Sequence, residues 1–190
     1  MSGTICVYCG SSPGQSECFS LAVEKFGHEL VRRRLSLVYG GGSIGLMGKL
    51  ARVVSSGGGQ VLGIIPESLH PTEISGETPG RVMVTKTMHE RKSQMADLAD
   101  AFVALPGGIG TLEELFEIAT WRQLGHHSKA IGLLNVNGFF DTLLKFIDEL
   151  VSAGFISSDT RALFIVESEP DVLLDKLSQC GLRWQCRRDP

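Results

Sequence analysis

No stretch of this 190-residue chain approaches the ~20 consecutive apolar residues needed to cross a bilayer. The charged and apolar regions of a signal peptide are also lacking, because Thr4-Ile5-Cys6-Val7-Tyr8 already has the character of a core strand. A cytoplasmic protein without membrane contact is therefore expected. Charge of either sign is not in large excess. A formal net charge of -3 gives no support to a nucleic-acid role. The five cysteines (Cys6, Cys9, Cys18, Cys180 and Cys186) are odd in number and follow no regular framework, which fits reduced thiols. Cys6 and Cys9 have redox spacing, but they span a strand and its exit rather than a helix N-terminus, so buried thiols are expected there. His89, His126 and His127 form no convincing metal-ligand set, and no metal site is expected. There is no internal repeat and no low-complexity segment.

What the sequence does contain is alternation. Apolar runs suited to buried parallel strands lie at 5–9, 36–39, 60–65, 81–84, 101–105, 130–136 and 163–166. Amphipathic segments of helical length separate them, at about 16–34, 45–56, 88–99, 111–124, 138–152 and 170–179. This pattern predicts an α/β fold, a doubly wound parallel sheet with helices on both faces. Residues 1–182 suit a single domain, and 183–190 a polar, basic, frayed tail. One connection is long and irregular: 66–80 carries three prolines and two glycines, the composition of a binding loop or lid.

Ligands of such sheets sit beyond the carboxyl ends of the strands. Three strand exits there carry small-residue loops. The first contains Gly10 and Ser11, the second Gly40, Gly41, Gly42 and Gly45, and the fifth reads Pro106-Gly107-Gly108-Ile109-Gly110-Thr111-Leu112-Glu113-Glu114. Glycines at successive exits allow close backbone approach to a nucleotide-type ligand. The second loop lacks the Lys-Ser/Thr of a P-loop, and no acidic residue ends the following strand as a dinucleotide site requires. In the fifth loop Thr111 can cap a helix whose first-turn amides would hold phosphate. Glu113 and Glu114, just inside that turn, either complement the helix dipole or face another part of the ligand.

The helix at 88–99 opens on Thr87-Met88-His89-Glu90, a capping box. Met88, Met95, Leu98 and Ala99 share one face, and Arg91 and Lys92 fall in the same apolar arc. Two cations there either snorkel at the helix edge or border a cleft that holds an anion. In the next helix Leu112, Leu115, Phe116 and Ala119 form the core stripe, while Glu113, Glu114, Glu117, Thr120 and Trp121 share another arc. Ile118 and Trp121 point to a second covered face, and a helix-mediated homodimer is expected from them.

Together these motifs resemble the LONELY GUY (LOG) family, formerly often labelled lysine decarboxylase-like, over nearly the whole chain to about Val166. The resemblance rests on Tyr8-Cys9-Gly10-Ser11-Ser12, Gly40-Gly41-Gly42, Gly45-Leu46-Met47-Gly48, Met88-His89-Glu90-Arg91-Lys92 and the 106–114 motif. It implies a Rossmann-like fold, a dimer and a phosphoribohydrolase that releases free cytokinin and ribose 5-phosphate from cytokinin riboside 5′-monophosphates. No Ser-x-His-Lys pyridoxal phosphate motif supports the decarboxylase label, and no cofactor is expected. By the resemblance, Arg91 and Lys92 are site residues, Gly108, Ile109, Gly110, Thr111, Leu112, Glu113 and Glu114 contact the nucleotide, and Glu73 and Thr120 contribute to binding. Ile109 stands where plant members usually carry tyrosine, and Ala130 where proline is common. The chemistry expected is N-glycosidic cleavage, with Glu114 beside C1′ and Arg91 orienting it. The alternatives are a broader nucleoside monophosphate hydrolase acting on AMP and a non-catalytic nucleotide or single-stranded DNA-binding module.

Overall fold

The computed structural model describes residues 3–69 and 79–180. Glu73, most of the 66–80 loop, Cys186 and the 183–190 tail lie outside the described residues. Seven strands form one all-parallel sheet: β1 (Thr4–Tyr8), β2 (Ser36–Tyr39), β3 (Val61–Pro66), β4 (Arg81–Thr85), β5 (Ala101–Ala104), β6 (Ala130–Leu134) and β7 (Phe164–Glu167). Their spatial order is β4-β3-β2-β1-β5-β6-β7. The direction of winding reverses between β1 and β5, which pair in parallel from Ile5↔Ala101 to Tyr8↔Ala104. In a doubly wound sheet that reversal opens a crevice at the carboxyl ends of the two strands.

The helices are α1 (Glu17–Arg32), α2 (Gly45–Ser56), α3 (Met88–Leu98), α4 (Ile109–Gln123), α5 (Asp141–Ser152), α6 (Ser158–Arg161) and α7 (Pro170–Gln179). All but the single-turn α6 bury one apolar stripe against one face of the sheet. Val23, Phe26 and Leu30 of α1, Leu50 and Val54 of α2, and Leu173 and Leu177 of α7 share a core with Ile5, Val7 and Leu37. Met95 of α3, Leu115 and Ile118 of α4, and Ile147 of α5 pack on the other face with Cys6, Ile64 and Phe102. Both faces are thus covered, as continuous apolar strands require.

Several boundaries and faces differ from the sequence reading. The apolar run ending at Val136 is strand only to Leu134; Val136 opens a 3-10 turn. The single-turn α6, capped by the Ser157 side chain accepting from the Thr160 amide, lies in a segment that shows no helical period. The 81–84 run is an edge strand: it pairs only with β3, and Val82, Met83 and Val84 are 36%, 37% and 47% exposed. Met88 and Leu98 are also exposed, so the buried stripe of α3 is Met95, Ala96 and Ala99 together with Arg91 and Lys92. In α4, Ile118 belongs to the stripe and Phe116 does not. Ile118 is buried in the chain's own core, and the half-buried Trp121 packs against that core. The exposed apolar side chains of this helix and its exit are instead Ile109, Phe116 and Leu124.

Candidate active site

Three strand exits meet at the reversal point and brace one another. The Gly10 amide donates to the Pro106 carbonyl at 3.1 Å, tying the β1 exit to the β5 exit. The Gly10 carbonyl accepts from the amides of Leu46 and Met47 at 3.1 and 3.2 Å, so it caps the first turn of α2. That contact requires Gly45, which has φ +60°; a Cβ there would lie 2.2 Å from the Ser11 carbonyl oxygen. Gly107 is equally constrained, since a Cβ would meet Thr111 Oγ1 at 2.1 Å. Gly41 and Gly42 are buried in the same junction, whereas Ser11 is exposed.

Gly108 and Gly110 are different. A Cβ at either would meet nothing within 4 Å, and both face open space. Gly108 is the N-cap of α4, and the helix begins at Ile109 rather than after Thr111. Thr111 is therefore not the cap. Its side chain is buried against Gly107, because the Gly108 carbonyl accepts the first helical bond, from the Leu112 amide at 3.2 Å. The amides of Ile109, Gly110 and Thr111 precede that bond and point out of the helix end, a ready place for an anion. Ile109 forms the lip, 83% exposed, with Leu112 half-buried behind it.

The helix α3 delivers the cations. Thr87 caps it by accepting from the Glu90 amide at 3.1 Å. The reciprocal half of the expected box shifts by one residue, since Glu90 accepts from the Lys86 amide. One turn on, Arg91 and Lys92 are each only 8% exposed, which excludes snorkelling. Arg91 Nε donates to the Ile64 carbonyl at 3.1 Å, Nη1 to the Met88 sulfur at 3.1 Å, and Nη2 lies 3.2 Å from Glu114 Oε1. The guanidinium passes so close to Gly40 that a Cβ there would lie 2.1 Å from Nη2. Lys92 Nζ donates to Glu113 at 2.6 Å and Glu117 at 2.9 Å. Sequence reasoning marked neither Gly40 nor Glu117 as a site residue. The signal for Glu117 was its place on the acidic arc of α4; that for Gly40 becomes visible only beside the guanidinium.

Electrostatics separates the carboxylates. Burial pushes the Glu114 carboxyl up to about 7, against the pull of Arg91, with Glu113 adding to the rise. Burial lowers Lys92, but its bonds to Glu113 and Glu117 outweigh that and hold it above the usual lysine value. Burial also pushes the thiols of Cys6 and Cys9 far up, so neither has thiolate character. Thr120 lies farther along α4, exposed, its hydroxyl donating to the Phe116 carbonyl. Among the described residues, no three His, Cys, Asp or Glu side chains could hold a metal ion, and no helix is long and apolar enough to cross a membrane.

A doubly wound sheet, an open helix N-terminus at its reversal point and a buried carboxyl paired with arginine define a Rossmann-like protein built to work on an anionic ligand. The family model described as "Possible lysine decarboxylase" matches residues 47–177. The chain is 54% identical over 186 residues to the cytokinin riboside 5′-monophosphate phosphoribohydrolase LOG of Oryza sativa subsp. japonica, covering 95% of this chain and 77% of that protein. It is 53% identical over 175 residues to LOG2 of Arabidopsis thaliana, of the same name, covering 92% and 82%. The chain belongs to this LOG family. In fold it is also similar to the molybdenum cofactor carrier protein of Chlamydomonas reinhardtii, with TM-score 0.70, 20% identity and coverage of 95% and 98%. The molybdenum cofactor binding protein of Rippkaea orientalis is comparable, with TM-score 0.69, 18% identity and coverage of 94% and 97%. At such identities the likeness concerns the fold alone.

Proposed function

We propose that this protein hydrolyses the N-glycosidic bond of cytokinin riboside 5′-monophosphates, releasing the free base and ribose 5-phosphate. The observation that carries the reading is the buried Arg91–Glu114 ion pair beside the open first turn of α4, in a chain with close relatives bearing that name. The amides at Gly110 and Thr111, with the Gly108 backbone, receive the 5′-phosphate. Anchoring that remote group sets C1′ against Glu114 and uses binding energy for orientation. As the C1′–N9 bond breaks, its electron pair leaves with the purine and positive charge builds on the ribose. The Glu114 carboxylate stabilises that charge or takes a proton from the attacking water. The water's hydroxyl ends on C1′ and the purine gains a proton. Arg91 favours the ionised carboxylate against the effect of burial and aims it. Lys92 adds positive charge, Glu73 and Thr120 contribute further binding contacts, and Ile109 and Leu112 flank the base. The braced loops at Gly10, Ser11, Gly41, Gly42, Gly45 and Gly107 frame the nucleotide, and no cofactor takes part.

The test compares N6-isopentenyl-AMP, AMP and the unphosphorylated N6-isopentenyl riboside, with released base and ribose 5-phosphate both measured. Preferential cleavage of the N6-substituted monophosphate is expected. Equal rates with AMP would replace the reading by a general nucleoside monophosphate hydrolase, and no release from any of them would leave a binding module. The working unit we propose is a cytoplasmic homodimer joined along the exposed stripe of Ile109, Phe116 and Leu124. Sedimentation of Phe116→Glu beside the wild-type chain tests that pairing.

A further inference from the structure

Lys92 already has two anions on it. Its side chain is 10% exposed, and its ammonium is shared between Glu113 and Glu117 at 2.6 and 2.9 Å. The two carboxylates are not equivalent. Glu117 sits one turn deeper in α4 and is 21% exposed, while Glu113 is 53% exposed and follows directly on the first turn, whose amides are unpaired. Among the described residues neither glutamate has another hydrogen-bond partner.

Charge makes the arrangement a problem for a phosphorylated ligand. The two cations Arg91 and Lys92 face three carboxylates, Glu113, Glu114 and Glu117. A phosphate dianion arriving at the first turn of α4 meets a surplus of negative charge, and repulsion between close like charges is not negligible even at a protein surface. Glu114 is held in place by burial. Of the remaining two, Glu113 is the one that can turn into water without a desolvation cost, and Lys92 keeps Glu117 as its counter-ion when it does.

We infer that Glu113 is an internal stand-in for the ligand's phosphate on Lys92. In the free protein it holds the ammonium; on binding, the phosphate takes its place while Glu117 keeps the ammonium positioned. Glu113 thereby weakens the binding of any small anion, and only a ligand that adds ribose and base contacts displaces it readily. The inference deepens the proposed function and rests on phosphate recognition at this helix end, but its test does not require turnover.

Calorimetric titration with ribose 5-phosphate is applied to the wild-type protein, Glu113→Gln, Lys92→Met and the double variant. Glu113→Gln is expected to tighten ribose 5-phosphate by about two- to fivefold, the size of a partly exposed ion pair. The gain should vanish in the Lys92→Met background. With the N6-substituted monophosphate, KM should fall by a similar factor, whereas the unphosphorylated riboside should be indifferent. Equal or weaker ribose 5-phosphate binding by Glu113→Gln overturns the inference. A gain that persists undiminished without Lys92 overturns it too, because Glu113 would then be a repulsive charge only. If no nucleotide is hydrolysed but the calorimetric pattern holds, the catalytic reading falls and this one stands.

Discussion

Arg91 Nη2 lies 3.2 Å from Glu114 Oε1, with the two side chains 9% and 12% exposed. The guanidinium is not free to follow the carboxylate, because Nε is bound to the Ile64 carbonyl and the group lies against Gly40. The arginine is thus a fixed reference, clamped between the exits of β2 and β3, and Glu114 is aimed by it. A buried ion pair contributes little net stability, since desolvation offsets the attraction. Its place at the reversal point of the sheet is therefore better explained by work on a ligand.

Glu114→Gln is expected to reduce turnover by about 10²- to 10⁴-fold, the range for a positioned acid–base group. Nucleotide binding should change far less, because the proposed phosphate contacts, the first-turn amides of α4 and Lys92, do not include Glu114. Arg91→Ala should damage both. Single-turnover hydrolysis and equilibrium binding of the same nucleotide separate the two outcomes; wild-type hydrolysis by Glu114→Gln would remove this carboxyl from the chemistry.

The pH profile follows from the raised Glu114 carboxyl, at about 7. Its ionised share climbs from about one tenth at pH 6 to about nine tenths at pH 8, one unit either side of the midpoint. With the carboxylate as the proposed working form, kcat/KM, which reports groups of the free protein, should rise over that interval; a fall would show that the protonated acid is the active species. Stability should move the other way. The folded value lies above the ordinary 4.5, so this group's contribution is complete below that ordinary value and is lost as pH rises through about 7. The melting temperature of the wild-type chain, relative to Glu114→Gln, should therefore fall between pH 5 and pH 8.

Gly40→Ala tests the clamp without touching a charged group. The added methyl would sit 2.1 Å from Arg91 Nη2, and the guanidinium must shift. Displacements of about 1 Å cost roughly 10² in rate when orientation is the source of catalysis. A loss of that order in kcat/KM is expected while the chain remains folded by circular dichroism. Gly108→Ala offers the contrast. Its Cβ meets no protein atom within 4 Å, so any loss of activity there should appear without loss of melting temperature and report on the ligand's own space.

Side-chain periodicity by itself determined the seven strands and every helix but the single-turn α6, and so the class of fold. It reports which face of an element leaves water, and that is a local property of spacing. The apolar arc of α3 likewise revealed that Arg91 and Lys92 leave water, although Met88 and Leu98 on that arc proved exposed. The 106–114 motif located the helix end, but the cap fell to Gly108 rather than Thr111. Only the tertiary structure decided the partners. Arg91 meets Glu114 and Lys92 meets Glu113 and Glu117 because the crossover through β5 sets α3 and α4 side by side, a relation between distant segments that no local spacing encodes. It also divided glycines that look alike in sequence. Gly10, Gly40, Gly45 and Gly107 are required by protein atoms pressed against them, while Gly108 and Gly110 border space that the protein leaves open.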